Sequence, residues 1–326
     1  MAKPTLTTIG SYPRPPHEGG DFRLRKTLNA LDRGEATAGD VAGAEDDLTR
    51  EILGEQATAG VDLVTDGQVR WVDSLSHIAD ALEGCVSSGL LRYFDTNVYF
   101  RQPVVKGPVG RTSPIVLDEF RFAAANSTVP VKAVLTGPYT LAALALDEHY
   151  GDRRVLARDL AAALNAEARD LAAAGATVIQ FDEPSLARVP GSPPGDLSVL
   201  AGIADSLLAG VDVTTVIATY FGDVAPLGQA FFELPFDVFG LDFVAGPANV
   251  DVLKDLPAGK GVQAGIADAR ETRLEPADEL ATTARKLADA VEGEVWIAPS
   301  CGLEFLPREA ALAKLERLAE AKERLS

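Results

Sequence analysis

The chain has 326 residues, of which 47% are hydrophobic and only 6% aromatic, enough for a full core built on Ala, Val, Leu and Ile. Its formal net charge of −18 repels phosphate backbones, which excludes nucleic acid as the expected partner, and the acidity is spread over helices as a solvated surface. Two cysteines, Cys85 and Cys301, make no disulfide framework, no apolar run reaches the roughly 18 residues of a membrane helix, and MAKPTLTTIG has no signal-peptide core, so a cytoplasmic protein with no membrane partner is expected.

PTLTTIGS reads as a first strand. TAGDVAGAEDDLTREILGEQATAG follows with helical period, with Thr37 as its cap and Gly60 at its end. VDLVTDG is the next strand. Residues 90–127 then form an insertion, in which LLRYFDTNVYFRQPVVKG alternates as a hairpin on the rim. VPVKAVLTGP is the third strand of the main series, and TVIQFDEP follows the Ala-rich helix RRVLARDLAAALNAEARDLAAAG. VPGSPPGD is a Pro/Gly loop inside one unit rather than a linker. VTTVIATYFGD, VFGLDFVAG, GVQAGIADARE and VWIAPSCGL complete the series, most of them followed by a helical stretch and the last by PREAALAKLERLAEAKERL.

About eight strands alternating with helices predict a single (β/α)8 TIM-type barrel spanning residues 1–326, with the hairpin insertion after the second strand. An open doubly wound sheet is the competitor. It would usually carry a Gly-rich phosphate loop after its first strand, and TTIGSYPRPPHEGG contains no G-x-G-x-x-G.

In such a barrel the site is built from the C-terminal strand ends. Those ends read IGSYPRP, TDGQVRW, LTGPYT, FDEPS, TYFGD, DFVAG, IADARE and PSCGLE, a concentration of Gly, Asp, Glu, Ser, Arg and Cys. Any one of them has an ordinary reading as a turn. Eight converging on one mouth point to a ligand site, with the adjacent acids Asp182 and Glu183 at its centre.

These motifs, in this order, resemble cobalamin-independent methionine synthase, above all in TTIGSYPRP, IQFDEPSLA and WIAPSCGLEFLPREAALAKLERL. The resemblance covers nearly the whole chain. It implies transfer of a methyl group from a folate polyglutamate, the co-substrate, to the thiol of homocysteine. That family uses two related barrels, of which the C-terminal one holds a catalytic zinc. Only a thiolate attacks, and zinc generates it from a thiol of pKa near 8.5.

Carried over residue by residue, the zinc positions fall on Ala218, Tyr220, Asp242 and Cys301, so the resemblance implies a vestigial metal site and no metal in this chain. The chain has three histidines, His17, His77 and His149, none at a matching place. Ile9, Gly10 and Ser11 match the segment that holds the amino-acid substrate, and Asp182 matches the carboxylate that binds its amine. The cooperating Glu falls on Gln68, which weakens that site. TYFGD, DTNVYFRQPVVKG and GIADARE look more like the zinc-free N-terminal half. There a basic helix start contacts the folate tail, which here matches Arg23, Arg25 and Lys26 of RLRK, with Lys106 as a further basic contact.

The expectation is therefore a 5-methyltetrahydropteroylpolyglutamate–homocysteine methyltransferase-type barrel in methionine biosynthesis. It would have no cofactor of its own and would act on methyl-folate and homocysteine together with a zinc-bearing partner barrel chain. Two rivals stand beside it: a non-catalytic folate or amino-acid binding module, and a metal-independent enzyme using Asp182, Glu183 and Asp242 as acid/base groups.

Overall fold

The computed structural model describes residues 3–189 and 193–325, so part of the loop VPGSPPGD lies outside the described residues. The strands are β1 (Thr5–Leu6), β2 (Leu82–Arg92), β3 (Tyr99–Arg111), β4 (Ala133–Thr136), β5 (Leu146–Asp147), β6 (Val178–Asp182), β7 (Thr214–Ala218), β8 (Val238–Asp242), β9 (Gly261–Ala267) and β10 (Val295–Pro299). Seven of them form one curled parallel sheet in the order β1-β10-β9-β8-β7-β6-β4. Every residue of β6, β8 and β9 is buried, because a parallel sheet is covered on both faces.

The two edges of the sheet approach each other across residues 61–65. Thr7, just after β1, bridges Leu63, and Val64 bridges Val131, just before β4. VDLVTDG, expected as a full strand, therefore contributes single bridges. Gly60 and Gly67, at φ +90° and +71°, turn the backbone at both ends, and the Asp62 carboxylate accepts from the Leu6 amide at 2.7 Å where a ladder bond would lie.

β2 and β3 pair antiparallel from Leu82↔Arg111 to Arg92↔Tyr99, and β5 lies parallel to β3 on its other side. The pairing begins at Leu82 rather than at residue 90. Register shifts at Glu83/Cys85 and Ser87/Leu90 break the alternation that would have marked it in the sequence. The first shift needs Gly84: at φ +80°, a Cβ there would lie 2.4 Å from the Pro108 carbonyl oxygen. Past β3 the chain forms the helix Leu117–Asn126.

The helix Ala38–Thr58 starts on a capping box. The Asp40 amide donates to Thr37 Oγ1 at 3.2 Å, and the Thr37 amide donates to Asp40 Oδ2 at 2.8 Å. The helix Arg153–Ala173 buries Leu156, Leu160, Leu164 and Leu171 on one stripe, with small alanines between them that let it lie close on the sheet. Each such leucine contributes about 2 kcal/mol of burial, and truncating Leu164 to Ala would cost roughly 2–5 kcal/mol. No helix among the described residues is long and apolar enough to cross a membrane.

Candidate functional site

Because the sheet is parallel, its C-terminal strand ends share one rim. Asp182 ends β6, Ala218 ends β7 and Asp242 ends β8. Cys301 follows β10, and Ile9, Gly10 and Ser11 follow β1 on the same rim. Gln68 lies over Gly10, where an added Cβ would stand 3.0 Å from its amide nitrogen. Gln68 itself has φ +52°, a strained value for a side chain of its size.

Asp182 ends β6 on this rim and is buried. Its Oδ1 accepts from the Gln180 amide at 2.6 Å and its Oδ2 from the Tyr220 hydroxyl at 3.2 Å. Burial pushes its pKa up to about 7, while Gln180, Lys132 and Tyr220 pull it down. The Gln180 amide also donates to the Ile9 carbonyl at 2.7 Å, which ties the carboxylate to the segment after β1. Ser11 donates its hydroxyl hydrogen to Glu304, a half-buried acid whose pKa is raised by desolvation.

Glu183 faces away from this mouth. Its two oxygens accept the Tyr139 and Thr140 amides at 2.9 and 2.6 Å, at the first turn of the helix Pro138–Leu144. The two adjacent acids therefore point to different partners, Glu183 to a helix start and Asp182 to Gln180 and Tyr220.

The residues at the four metal positions do not fit zinc. Ala218 offers no donor atom. The Tyr220 hydroxyl is hydrogen-bonded to Asp182 and lies 3.4 Å from the Tyr93 hydroxyl. Asp242 accepts the Phe221, Val244 and Ala245 amides at 3.0, 2.9 and 2.8 Å, so both its oxygens serve the backbone turn. Cys301 is fully buried, and burial pushes its thiol pKa well up, away from the thiolate a metal needs. The histidines lie elsewhere: His17 pairs with Glu55 at 2.8 Å, His77 with Glu119 at 2.9 Å, and His149 packs on Tyr150. Among the described residues no group of three or more His, Cys, Asp or Glu side chains is arranged to hold a metal ion.

The tip of the β2–β3 hairpin roofs the mouth. Tyr93 meets Phe221 edge-on at 5.8 Å between ring centroids, and Phe94 meets the same ring at 5.4 Å. Phe94 and Phe221 both hold positive φ, +50° and +71°, which points to backbone shaped by this contact. Between Ser11, Gln68, Trp71, Tyr93 and Glu304 a cleft of about 60 Å³ remains.

RLRK opens the helix Arg23–Asp32, which has no buried residue. Arg23 pairs with Asp47 and Lys26 with Asp21, both at the surface. Arg25 has no ion pair among the described residues. Arg23 and Arg25 line a cavity of about 490 Å³, together with Arg14, Phe22 and the buried Arg308. Lys106 is exposed on β3 and is not among the residues lining it. The basic cluster and Lys106 are therefore not gathered around one cavity.

Four residues of the site had no clear signal in the sequence. Tyr93 reaches the mouth from a hairpin tip 127 positions before Tyr220. Lys132, just before β4, and Gln180, inside β6, are isolated polar residues in apolar runs. Glu304 stands three places after Cys301 in SCGLE, and only its position in that strand-end motif could have drawn notice.

Comparison with known proteins matches residues 4–324 to the family described as "Cobalamin-independent synthase, Catalytic domain". Among curated relatives, the methionine synthase of Saccharolobus solfataricus is 32% identical over 317 residues, covering 96% of this chain and 92% of that protein. The methionine synthase of Sulfurisphaera tokodaii is 32% identical over 314 residues, covering 95% and 88%. Among solved structures, a B12-independent methionine synthase from Shewanella sp. W3-18-1 in complex with selenomethionine superimposes with a TM-score of 0.83 at 22% identity, over 99% of this chain and 98% of that one. A putative vitamin-B12-independent methionine synthase from Listeria monocytogenes gives 0.77 at 18% identity, over 98% and 96%. At these identities the two structures speak to the fold.

Proposed function

The chain belongs to the cobalamin-independent methionine synthase family, and on that premise we propose that it serves methyl transfer from a methylated folate polyglutamate to homocysteine as a zinc-free, closed eight-stranded barrel beside a zinc-bearing partner chain. In this reading residues 61–65 stand as the eighth stave, and the antiparallel pair β2–β3 is the rim insertion. Asp182 seats the ammonium of the amino acid, and Ile9, Gly10 and Ser11 hold the rest of it. Arg23, Arg25, Lys26 and Lys106 offer charge-assisted contacts to the folate tail. Activation of the thiol belongs to the partner's zinc, and no step of it is assigned to this chain.

One observation carries the reading. The Tyr220 hydroxyl is spent on Asp182 and the Asp242 carboxylate on three backbone amides, so two former metal positions now serve protein contacts. The matching family model is that of the catalytic domain, which makes the fate of those positions the decisive difference. The test is methionine formation with the chain alone and with homologous barrel chains from the same cell that carry an intact His-x-Cys strand end. Activity only in the mixture, with zinc in the partner, is the expected outcome. Turnover by this chain alone with bound zinc would overturn the reading.

A second reading, a binding module without turnover, is favoured by the small cleft of about 60 Å³ that Tyr93, Tyr99 and Phe100 of the hairpin help to line. Ligand binding that no homologous partner chain converts into turnover would select it. The metal-independent enzyme loses two of its three acids, since Glu183 and Asp242 are engaged by backbone amides.

A further inference from the structure

One layer below Asp182, an ammonium group stands in the barrel interior. Lys132 is only 1% exposed and makes no salt bridge among the described residues. It donates to three oxygens: the Thr8 carbonyl at 2.7 Å, Gln180 Oε1 at 2.6 Å and Gln263 Oε1 at 2.8 Å. An ammonium has three hydrogens to donate and accepts nothing, so this set satisfies it fully. Burial nevertheless lowers its pKa to about 7, with the nearby Asp182 opposing that shift. A methionine of similar length would fill the space without this desolvation cost.

The three-oxygen shell has a consequence for the amide of Gln180. With its oxygen held by Lys132, its nitrogen must point the other way. There it donates to Asp182 Oδ1 at 2.6 Å and to the Ile9 carbonyl at 2.7 Å. Turned over, the amide would present its oxygen to two acceptors.

We propose that Lys132 is a positioning residue: by fixing the Gln180 amide it sets both the Asp182 carboxylate and the Ile9–Ser11 segment in place to receive an amino acid. This rests on the reading of Asp182 as the seat of an ammonium and deepens it by one shell.

The test uses two probes that differ only in the amino group, L-methionine and 4-(methylthio)butanoate, titrated calorimetrically into the intact chain. The wild type should prefer methionine, and Asp182→Asn should lose that preference. Lys132→Met should lose it by about tenfold or more, its affinity for methionine falling further than its affinity for the deaminated probe. Gln180→Leu breaks the same link from the other side and should behave alike, which covers the case of a Lys132 variant that does not fold. Val262→Ala, which opens a cavity in strand β9 beside Gln263, should lower stability yet keep the preference. Retained preference in Lys132→Met or Gln180→Leu, alongside its loss in Asp182→Asn, overturns the positioning role alone. A wild type without preference, or an Asp182→Asn variant that keeps it, overturns the reading of Asp182 and this inference with it.

Discussion

The Tyr220 hydroxyl lies 3.2 Å from Oδ2 of Asp182, on the strand end where the family resemblance puts a metal ligand. The tyrosine does two things at once: it stands where the resemblance puts a zinc ligand, and it supplies a hydrogen bond to the buried acid that ends β6. That acid is left with a pKa of about 7, so its charge changes near neutral pH.

Stability should record that titration. An acid whose pKa is raised on folding holds its proton longer in the native state, so its contribution is full below about pH 4 and is lost as pH rises through about 7. Asp182→Asn should flatten this, cutting the loss of stability between pH 4 and pH 8 by on the order of 2–4 kcal/mol. Asp242 and Asp66 are raised in the same direction and remain in both proteins, while Glu183 and Lys132 feel the Asp182 charge directly, so the difference between the two curves reads Asp182 together with these two neighbours. Urea melts of both proteins across that range provide the check, and parallel curves would refute it.

Glu183→Ala should cost on the order of 2–4 kcal/mol, because it leaves the buried Tyr139 and Thr140 amides without acceptors. Affinity for methionine should hold, since this carboxylate faces the helix and not the mouth. A melt and a titration on the same sample separate the two effects. Lost affinity at retained stability would return Glu183 to the site.

Zinc content is expected to be well below one equivalent per chain, given Ala218 and Tyr220 at two ligand positions and Asp242 bound by backbone amides. Elemental analysis of the purified chain, before and after dialysis against a chelator, provides the measurement. One tightly held zinc would redirect attention to His17, His77 and Cys85.

Changing Arg25 and Lys26 together to Ala should weaken binding of a folate triglutamate by roughly tenfold and leave the monoglutamate nearly unchanged. The surface pairs Arg23–Asp47 and Lys26–Asp21 are no obstacle, because exposed ion pairs contribute little and open readily. Titration of both folates at low and high salt tests this. Equal effects on the two would make the helix start an ordinary solvated face.

The alternation of strands and helices was legible, and so was the gathering of Asp182, Asp242 and Cys301 on one rim, because buried parallel strands leave continuous apolar runs and their ends carry turn residues. The cap at Thr37 was legible because a capping box is local in sequence. Whatever depends on contacts distant along the chain was not. Tyr93 over Tyr220, Ser11 against Glu304 and Lys132 between Thr8, Gln180 and Gln263 join segments that no short window contains. The start of the hairpin at Leu82 was hidden for a different reason, since its bulges erase the period that marks a strand.

Thr5 pairs with Trp296, so the first and last strands of the sheet are neighbours. During synthesis the first strand must wait for nearly the whole chain to appear before it gains this partner, and such late, distant pairing slows folding. Two of the three oxygens around Lys132, on Thr8 and Gln263, lie 124 and 131 positions away in the chain, so this shell too depends on distant segments. The β2–β3 hairpin pairs locally and needs no such delay. A nascent chain would therefore own the roof of its site before it owned the floor.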